Sequence, residues 1–237
     1  MIEIKNITKN FGKLEVLKGL DLELKQGECI ALIGPNGCGK TTLIKSILGM
    51  VIPDKGEIMF KGKSIKNQNE YRNQIGYMPQ IGRYPENMTI GQIIDMIKGI
   101  RNSKELLDHD LYEQFEISKM LDKRMRTLSG GTTQKVSAIL AFMFQPNVLI
   151  LDEPTAGLDP IASEILKEKI IDAKNKGCLI LITSHLLSEL EDVVSQVIFM
   201  QEGNLILHEN VEELKVTTGE KTIAKSIIYL LKKQQIC

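Results

Sequence analysis

No stretch of this 237-residue chain stays apolar for the roughly 18–20 residues that cross a bilayer. The longest apolar runs, such as Ala138–Phe144 and Val148–Leu151, have the size of core segments. The opening MIEIKNITKN has neither a long apolar stretch nor a small-residue cleavage site. A secretory signal is therefore not expected, and the chain is expected in the cytoplasm. Cysteine is scarce: Cys29, Cys38, Cys178 and Cys237 form no CxxC pair and read as free thiols in a reducing compartment. The three histidines, His109, His185 and His208, lie too far apart in sequence for a zinc-type cluster. An excess of one charge is also missing, since thirty Lys and Arg balance thirty Asp and Glu. That removes the basic footprint of a nucleic-acid binder, and no nucleic acid is expected as a partner. There is no internal repeat or low-complexity tract. What is present is 43% hydrophobic residues, enough for a sizeable core and too many for wholesale disorder.

Ile2–Ile4, Leu20–Leu24 and Glu57–Phe60 are short alternating or apolar segments separated by Gly, Lys and Asn, the texture of mixed or antiparallel strands. Cys29–Ile33 (CIALI) is continuously apolar and ends in glycines. A helical pattern follows in Leu43, Ile44, Ile47 and Leu48, with Gly49 as its stop. Strand, loop, helix is the unit of a parallel α/β core. Val148–Leu151 and Cys178–Thr183 are apolar runs of the same kind, suited to strands buried on both faces. Chemistry in open α/β sheets gathers at the carboxyl ends of such strands, and Gly34, Asp152 and His185 fall there. Between about Ile81 and Thr127, residues such as Ile93, Ile94, Ile97, Leu106, Leu107, Leu111 and Phe115 recur near three to four, which predicts an inserted helical subdomain. The tail after about His208 is charged, then apolar around Ile223–Leu231, and predicts one or two helices.

Gly34, Pro35, Asn36, Gly37, Cys38, Gly39, Lys40, Thr41 and Thr42 satisfy GxxxxGK[ST]. Glycines let a backbone wrap an anion with its N–H groups turned inward. The next helix offers its N-terminus, equivalent to about half a positive charge, to the same phosphates. Lys40 brings an ammonium to the β- and γ-phosphates, and Thr41 a hydroxyl to Mg²⁺. Alone, this loop says only nucleotide binding: kinase, GTPase, motor or transporter subunit.

Asp152 and Glu153 close the run Val148–Leu151. A carboxylate at a buried strand end can reach a metal beside the loop, which makes Asp152 the candidate ligand. Glu153 is then the candidate general base for the attacking water. His185 ends the next strand as a candidate donor to the γ-phosphate. Gln80, after Ile75–Pro79, stands where core meets helical insertion; its neutral amide suits Mg²⁺ or water. Leu128-Ser129-Gly130-Gly131-Thr132 runs into Thr133–Phe144, where Val136, Ile139, Leu140, Met143 and Phe144 give an amphipathic helical pattern. Ser129 is a candidate cap, and the glycines leave a second helix start open to an anion.

In these motifs the chain resembles the ATP-binding subunits of ABC transporters, over about Ile2–Leu207. It carries the phosphate loop, Gln80, the signature LSGGT at Leu128–Thr132, LILDE at Leu149–Glu153, AGLD at Ala156–Asp159 and His185, in the family's order. The departure is Thr132, where the family most often has Gln. The resemblance implies a P-loop NTPase core of ABC type: a mixed and parallel sheet, an antiparallel β subdomain, and a helical subdomain at about 81–127. The cassette would span 1–207 and a helical tail 208–237. It also implies ATP and Mg²⁺ as cofactors, hydrolysis by Glu153 with His185, Gln80 and Lys40, and Mg²⁺ held by Thr41, Gln80 and Asp152. Phe11 would stack on adenine, with Val16 beside it at the ribose or ring. Finally, it implies a head-to-tail dimer in which Ser129, Gly130 and Gly131 of one copy face the nucleotide of the other. Complete motifs in one chain favour a homodimer, working with a polytopic membrane permease at the inner face of the cell membrane. Ile75–Thr89 and Leu128–Ala138 also resemble the ATPase of the ABC system for nitrous oxide reductase maturation, which implies a periplasmic accessory partner and copper-site assembly. The competing readings are a generic drug, lipid or polysaccharide exporter ATPase, a non-transport ABC ATPase, and a non-hydrolysing regulatory subunit. The last is opposed by Glu153 and His185.

Overall fold

The computed structural model describes residues 1–101, 107–184 and 191–234. The first half of the chain forms β1 (Ile2–Phe11), β2 (Leu14–Leu24), β3 (Cys29–Ile33), α1 (Lys40–Ile47), β4 (Lys55–Phe60), β5 (Lys63–Ser64), β6 (Ile75–Met78), α2 (Ile90–Arg101) and α3 (Asp110–Gln114). The second half forms α4 (Gly130–Phe142), β7 (Val148–Asp152), α5 (Pro160–Asn175), β8 (Leu179–Thr183), β9 (Gln196–Gln201), β10 (Asn204–Asn210), α6 (Val211–Thr218) and α7 (Ile223–Gln234). Two units emerge, Met1–Gln68 with Leu181–Cys237, and Asn69–Ile180. Among the described residues no helix is long and apolar enough to cross a membrane.

In the first unit β2, β1, β4 and β5 lie side by side in an antiparallel sheet. Ile2, Ile4, Leu20, Leu22, Leu24, Ile58 and Phe60 alternate inward and are buried. These strands are longer than the sequence predicts, because β1 and β2 run on into exposed residues that carry no apolar signal. β3 coincides with the predicted CIALI run, and it pairs in parallel with β9, Ile33 opposite Phe199. The hairpin β9–β10 escaped the sequence reading. Its turn is Glu202-Gly203, both at positive φ (48° and 82°), the geometry of a tight two-residue hairpin. α1 buries Leu43, Ile44 and Ile47, and Gly49 (φ 67°) takes the left-handed position just past its end. In the tail, the side chain of Asn210 caps α6, and the Glu191 carboxylate accepts from Ile223 N at the start of α7 (2.9 Å) while pairing with Lys215 (3.1 Å).

In the second unit β6 and β7 pair in parallel, Met78 opposite Leu151. The helix after the signature is not the amphipathic helix its spacing predicts. α4 runs Gly130–Phe142 and is buried nearly all round, with Gln134 and Ser137 inside as well as Val136, Ala138 and Ile139. It packs on β6 so closely that a Cβ on Gly76 would lie 2.1 Å from the Ala141 carbonyl. Among the described residues the Gln134 amide has no hydrogen-bond partner.

Lys169 of α5 is buried and donates to Asp108 (2.8 Å) and Asp110 (2.9 Å) at the approach to α3. Burial pulls its ammonium down, but the two carboxylates outweigh that and hold it above the ordinary lysine value. Asp110 is held below the usual carboxylate range, by the Lys169 hydrogen bond first and then by Gln114. Removing the cation strands two carboxylates. Lys169→Met should therefore cost about 2–3 kcal/mol at neutral pH, less than a fully dry pair because Asp110 is half exposed. Asp110's share is present above the ordinary aspartate range and disappears as pH falls through its lowered value. Lys169's share disappears only as pH climbs through its raised value. Urea unfolding of both proteins should show the gap narrowing at acid pH; an unchanged gap would assign it to lost packing.

Candidate functional site

The phosphate loop is a tight backbone structure inside the first unit. Gly34 (φ 151°) passes so close to β9 that a Cβ there would lie 2.1 Å from the Met200 carbonyl and 2.7 Å from Cys38 Sγ. Gly39 (φ 108°) is the N-cap of α1, and its added Cβ would lie 2.8 Å from the carbonyl of Val16. The backbone of Val16 thus lies beside the loop. No side chain caps α1, so its first turn presents backbone N–H groups in the arrangement that suits an anion. Lys40 Nζ donates to the carbonyls of Gly34 (2.7 Å) and Pro35 (3.1 Å), which places the cation at the loop itself. Cys38 is buried, whereas Pro35, Asn36, Gly37 and Thr41 are exposed and Thr42 half-buried. Phe11 pairs with Leu14 at the end of the β1–β2 hairpin, 51% exposed, with Lys9 Nζ 5.5 Å from its ring centre. Val16 follows two residues after Leu14 on β2.

In the second unit, Gln80 and Asp152 emerge from the carboxyl ends of neighbouring parallel strands, two residues past Met78 and one past Leu151. Asp152 is half-buried, and burial together with its charge pushes the Tyr77 hydroxyl above the usual phenol range. Glu153 sits at φ 53°, in the left-handed region that a non-glycine residue takes at a cost of about 1–2 kcal/mol. Such strain concentrates where side-chain direction matters. The segment after Gln80 is fastened to α4: Tyr84 Oη and Ser137 Oγ are 2.9 Å apart, and a Cβ on Gly82 would meet Ser137 Oγ at 2.5 Å. Burial of Tyr84 raises its hydroxyl against the opposing pull of Ser137.

Ser129 caps α4, accepting from Thr132 N (3.2 Å), with Thr132 Oγ1 at 2.9 Å from its hydroxyl. Thr132, the departure from the family's usual Gln, thus takes part in the cap. Ser129 and Gly130 are exposed. Gly131 packs on the Ala156–Asp159 loop, where its added Cβ would be 2.6 Å from the Gly157 carbonyl. Asp159 caps α5 through Ala162 N (2.8 Å) and accepts from Lys135 Nζ (2.8 Å). Lys135 lies within Leu128–Ala138, but the sequence reading assigned it no role; its signal was a cation six residues after Ser129. His185 lies outside the described residues. Among those described, no group of three or more His, Cys, Asp or Glu could hold a metal ion.

A family profile described as ABC transporter matches residues 17–156. The uncharacterized ABC transporter ATP-binding protein YhaQ of Bacillus subtilis is 34% identical over 94% of this chain and 76% of its own. The lantibiotic transport ATP-binding protein SrtF of Streptococcus pyogenes is 31% identical over 90% of this chain and 95% of its own. A solved structure of an ATP-binding subunit of an ABC transporter superposes with a TM-score of 0.90 at 28% identity, over 98% of this chain and 99% of that one.

Proposed function

The chain belongs to the ABC transporter family, as an ATP-binding and ATP-hydrolysing cassette, and from that premise we propose that two copies close head to tail on ATP and drive a separate membrane permease. The observation that carries this is the start of α4. A helix start with exposed Ser129 and Gly130, capped only at Thr132 N by the Ser129 side chain, is built onto the Ala156–Asp159 loop, at a distance in sequence from the phosphate loop. Such an end is suited to a second copy's nucleotide.

In this reading the backbone of Gly34–Thr42 and Lys40 bind the phosphates, and Phe11 with Val16 hold adenosine. Glu153 orients water and takes its proton, helped by His185 and Gln80. Ser129, Gly130 and Gly131 add donors in trans. The proposed metal donors are the Thr41 hydroxyl, the Gln80 amide oxygen and the Asp152 carboxylate. They are hard, few and all oxygen, which fits Mg²⁺ better than a transition metal. Bound there, Mg²⁺ would neutralise phosphate charge. Water cleaves the β–γ bond to give ADP and inorganic phosphate, and once that phosphate leaves, the charge that both copies share is gone and the pair separates.

The permease places the chain at the inner face of the membrane. SrtF, named for lantibiotic transport, favours a transporter of that broad kind. The narrower reading, nitrous oxide reductase maturation with a periplasmic partner, rests on Ile75–Thr89 and Leu128–Ala138 alone. None of the relatives reported above is named for that system. The tagged chain, purified from detergent-solubilised membranes, should bring a polytopic membrane protein that raises ATP turnover when the two are reconstituted in liposomes. Recovery with ribosomes or nucleic acid, and no membrane protein, would oppose the transport role.

A further inference from the structure

We infer that Lys135 is a positioning residue for hydrolysis, fixing the Ala156–Asp159 loop on the start of α4 so that both meet the second copy as one surface. This rests on the two-copy reading above. Three contacts converge there. Gly131 lacks a side chain where the Gly157 carbonyl approaches, so the two backbones touch directly. Asp159 divides its carboxylate, one oxygen on Ala162 N at the start of α5 and the other on Lys135 Nζ, each at 2.8 Å. The Lys135 ammonium also stands 5.7 Å from the ring centre of Phe115, just past α3. One cation thus ties α4 to the loop before α5 and to the α3 segment, all within the second unit.

The pair's value is geometric. Asp159 is half exposed, so water screens the attraction and little stability depends on it. The Lys135 side chain is only 24% exposed, however, and its ammonium is confined between Asp159 and the Phe115 ring. Direction is therefore well defined on both sides. Losing the cation would let the loop drift from Gly131, and misplacing a reacting surface by about 1 Å can cost about 100-fold in rate.

The test uses the full chain carrying Glu153→Gln, in which slow hydrolysis lets ATP-bound dimers be counted by sedimentation velocity. Adding Lys135→Met, which keeps the stem and removes the charge, should raise the protein concentration needed for ATP-induced dimerisation by about tenfold or more. Binding of a fluorescent ATP analogue to the monomer should change less than about twofold, because the phosphate loop is untouched. Lys135→Arg should restore dimerisation, since a guanidinium can reach the same carboxylate. With Glu153 intact, Lys135→Met should lower kcat far more than it alters KM. Dimerisation of the Lys135→Met chain equal to its Glu153→Gln background overturns the inference. So does a loss that Lys135→Arg fails to restore. If Glu153→Gln alone forms no dimer with ATP, the two-copy reading itself fails and takes this inference with it.

Discussion

Glu153→Gln should leave a protein that binds ATP, accumulates as an ATP-bound dimer and turns over about 1,000-fold more slowly than the parent. The amide copies the carboxylate's shape and can still accept one hydrogen bond from water, but it is too weak a base to take the proton. The backbone makes this a clean exchange. Glu153 already occupies φ 53°, and glutamine meets the same steric penalty there, so folding stability should stay within about 0.5 kcal/mol. Steady-state phosphate release, light scattering with and without ATP, and thermal unfolding would together separate chemistry from structure. Hydrolysis near the parental rate would remove Glu153 from the role of base and leave Asp152, His185 or Gln80 to be tested in its place.

Gly34→Ala should abolish nucleotide binding within the measurable range, a loss of at least about 100-fold, and destabilise the fold by about 2–4 kcal/mol. The new methyl would fall 2.1 Å from the Met200 carbonyl, which belongs to a paired strand and cannot rotate away. Either the loop lifts off β9 or β9 bends, and in both cases the N–H groups lose their arrangement. Gly37→Ala provides the contrast. Its Cβ would have no neighbour within 4 Å, so only its φ of 80° opposes the change, costing about 1–2 kcal/mol. A calorimetric titration with ATP should therefore fail for Gly34→Ala and survive for Gly37→Ala. Equal behaviour would mean that close packing on β9 does not shape the loop.

Much of this was legible in the sequence because buried parallel strands announce themselves. Cys29–Ile33 and Val148–Leu151 are continuous apolar runs, and each became a strand whose end carries candidate chemistry. Other features were hidden for physical reasons. β10 is half-buried along its whole length, so it lacks both the alternation of a one-sided strand and the apolar run of a central one. α4 is enclosed, and enclosure erases the stripe that periodicity needs. Contacts between distant segments leave no local trace. Nothing near Lys135 or Lys169 in sequence points to Asp159 or Asp108, since a cation on a helix normally faces solvent. Gly131 was visible as part of the signature, but not that its missing side chain makes room for Gly157.

In the proposed head-to-tail arrangement one copy cannot complete a hydrolytic site. ATP turnover per subunit, measured across a dilution of about a thousandfold, tests it most directly, because association obeys mass action. Specific activity should fall as copies separate, and Ser129→Arg should abolish it at every concentration. Constant activity on dilution, unaffected by Ser129→Arg, would contradict that arrangement.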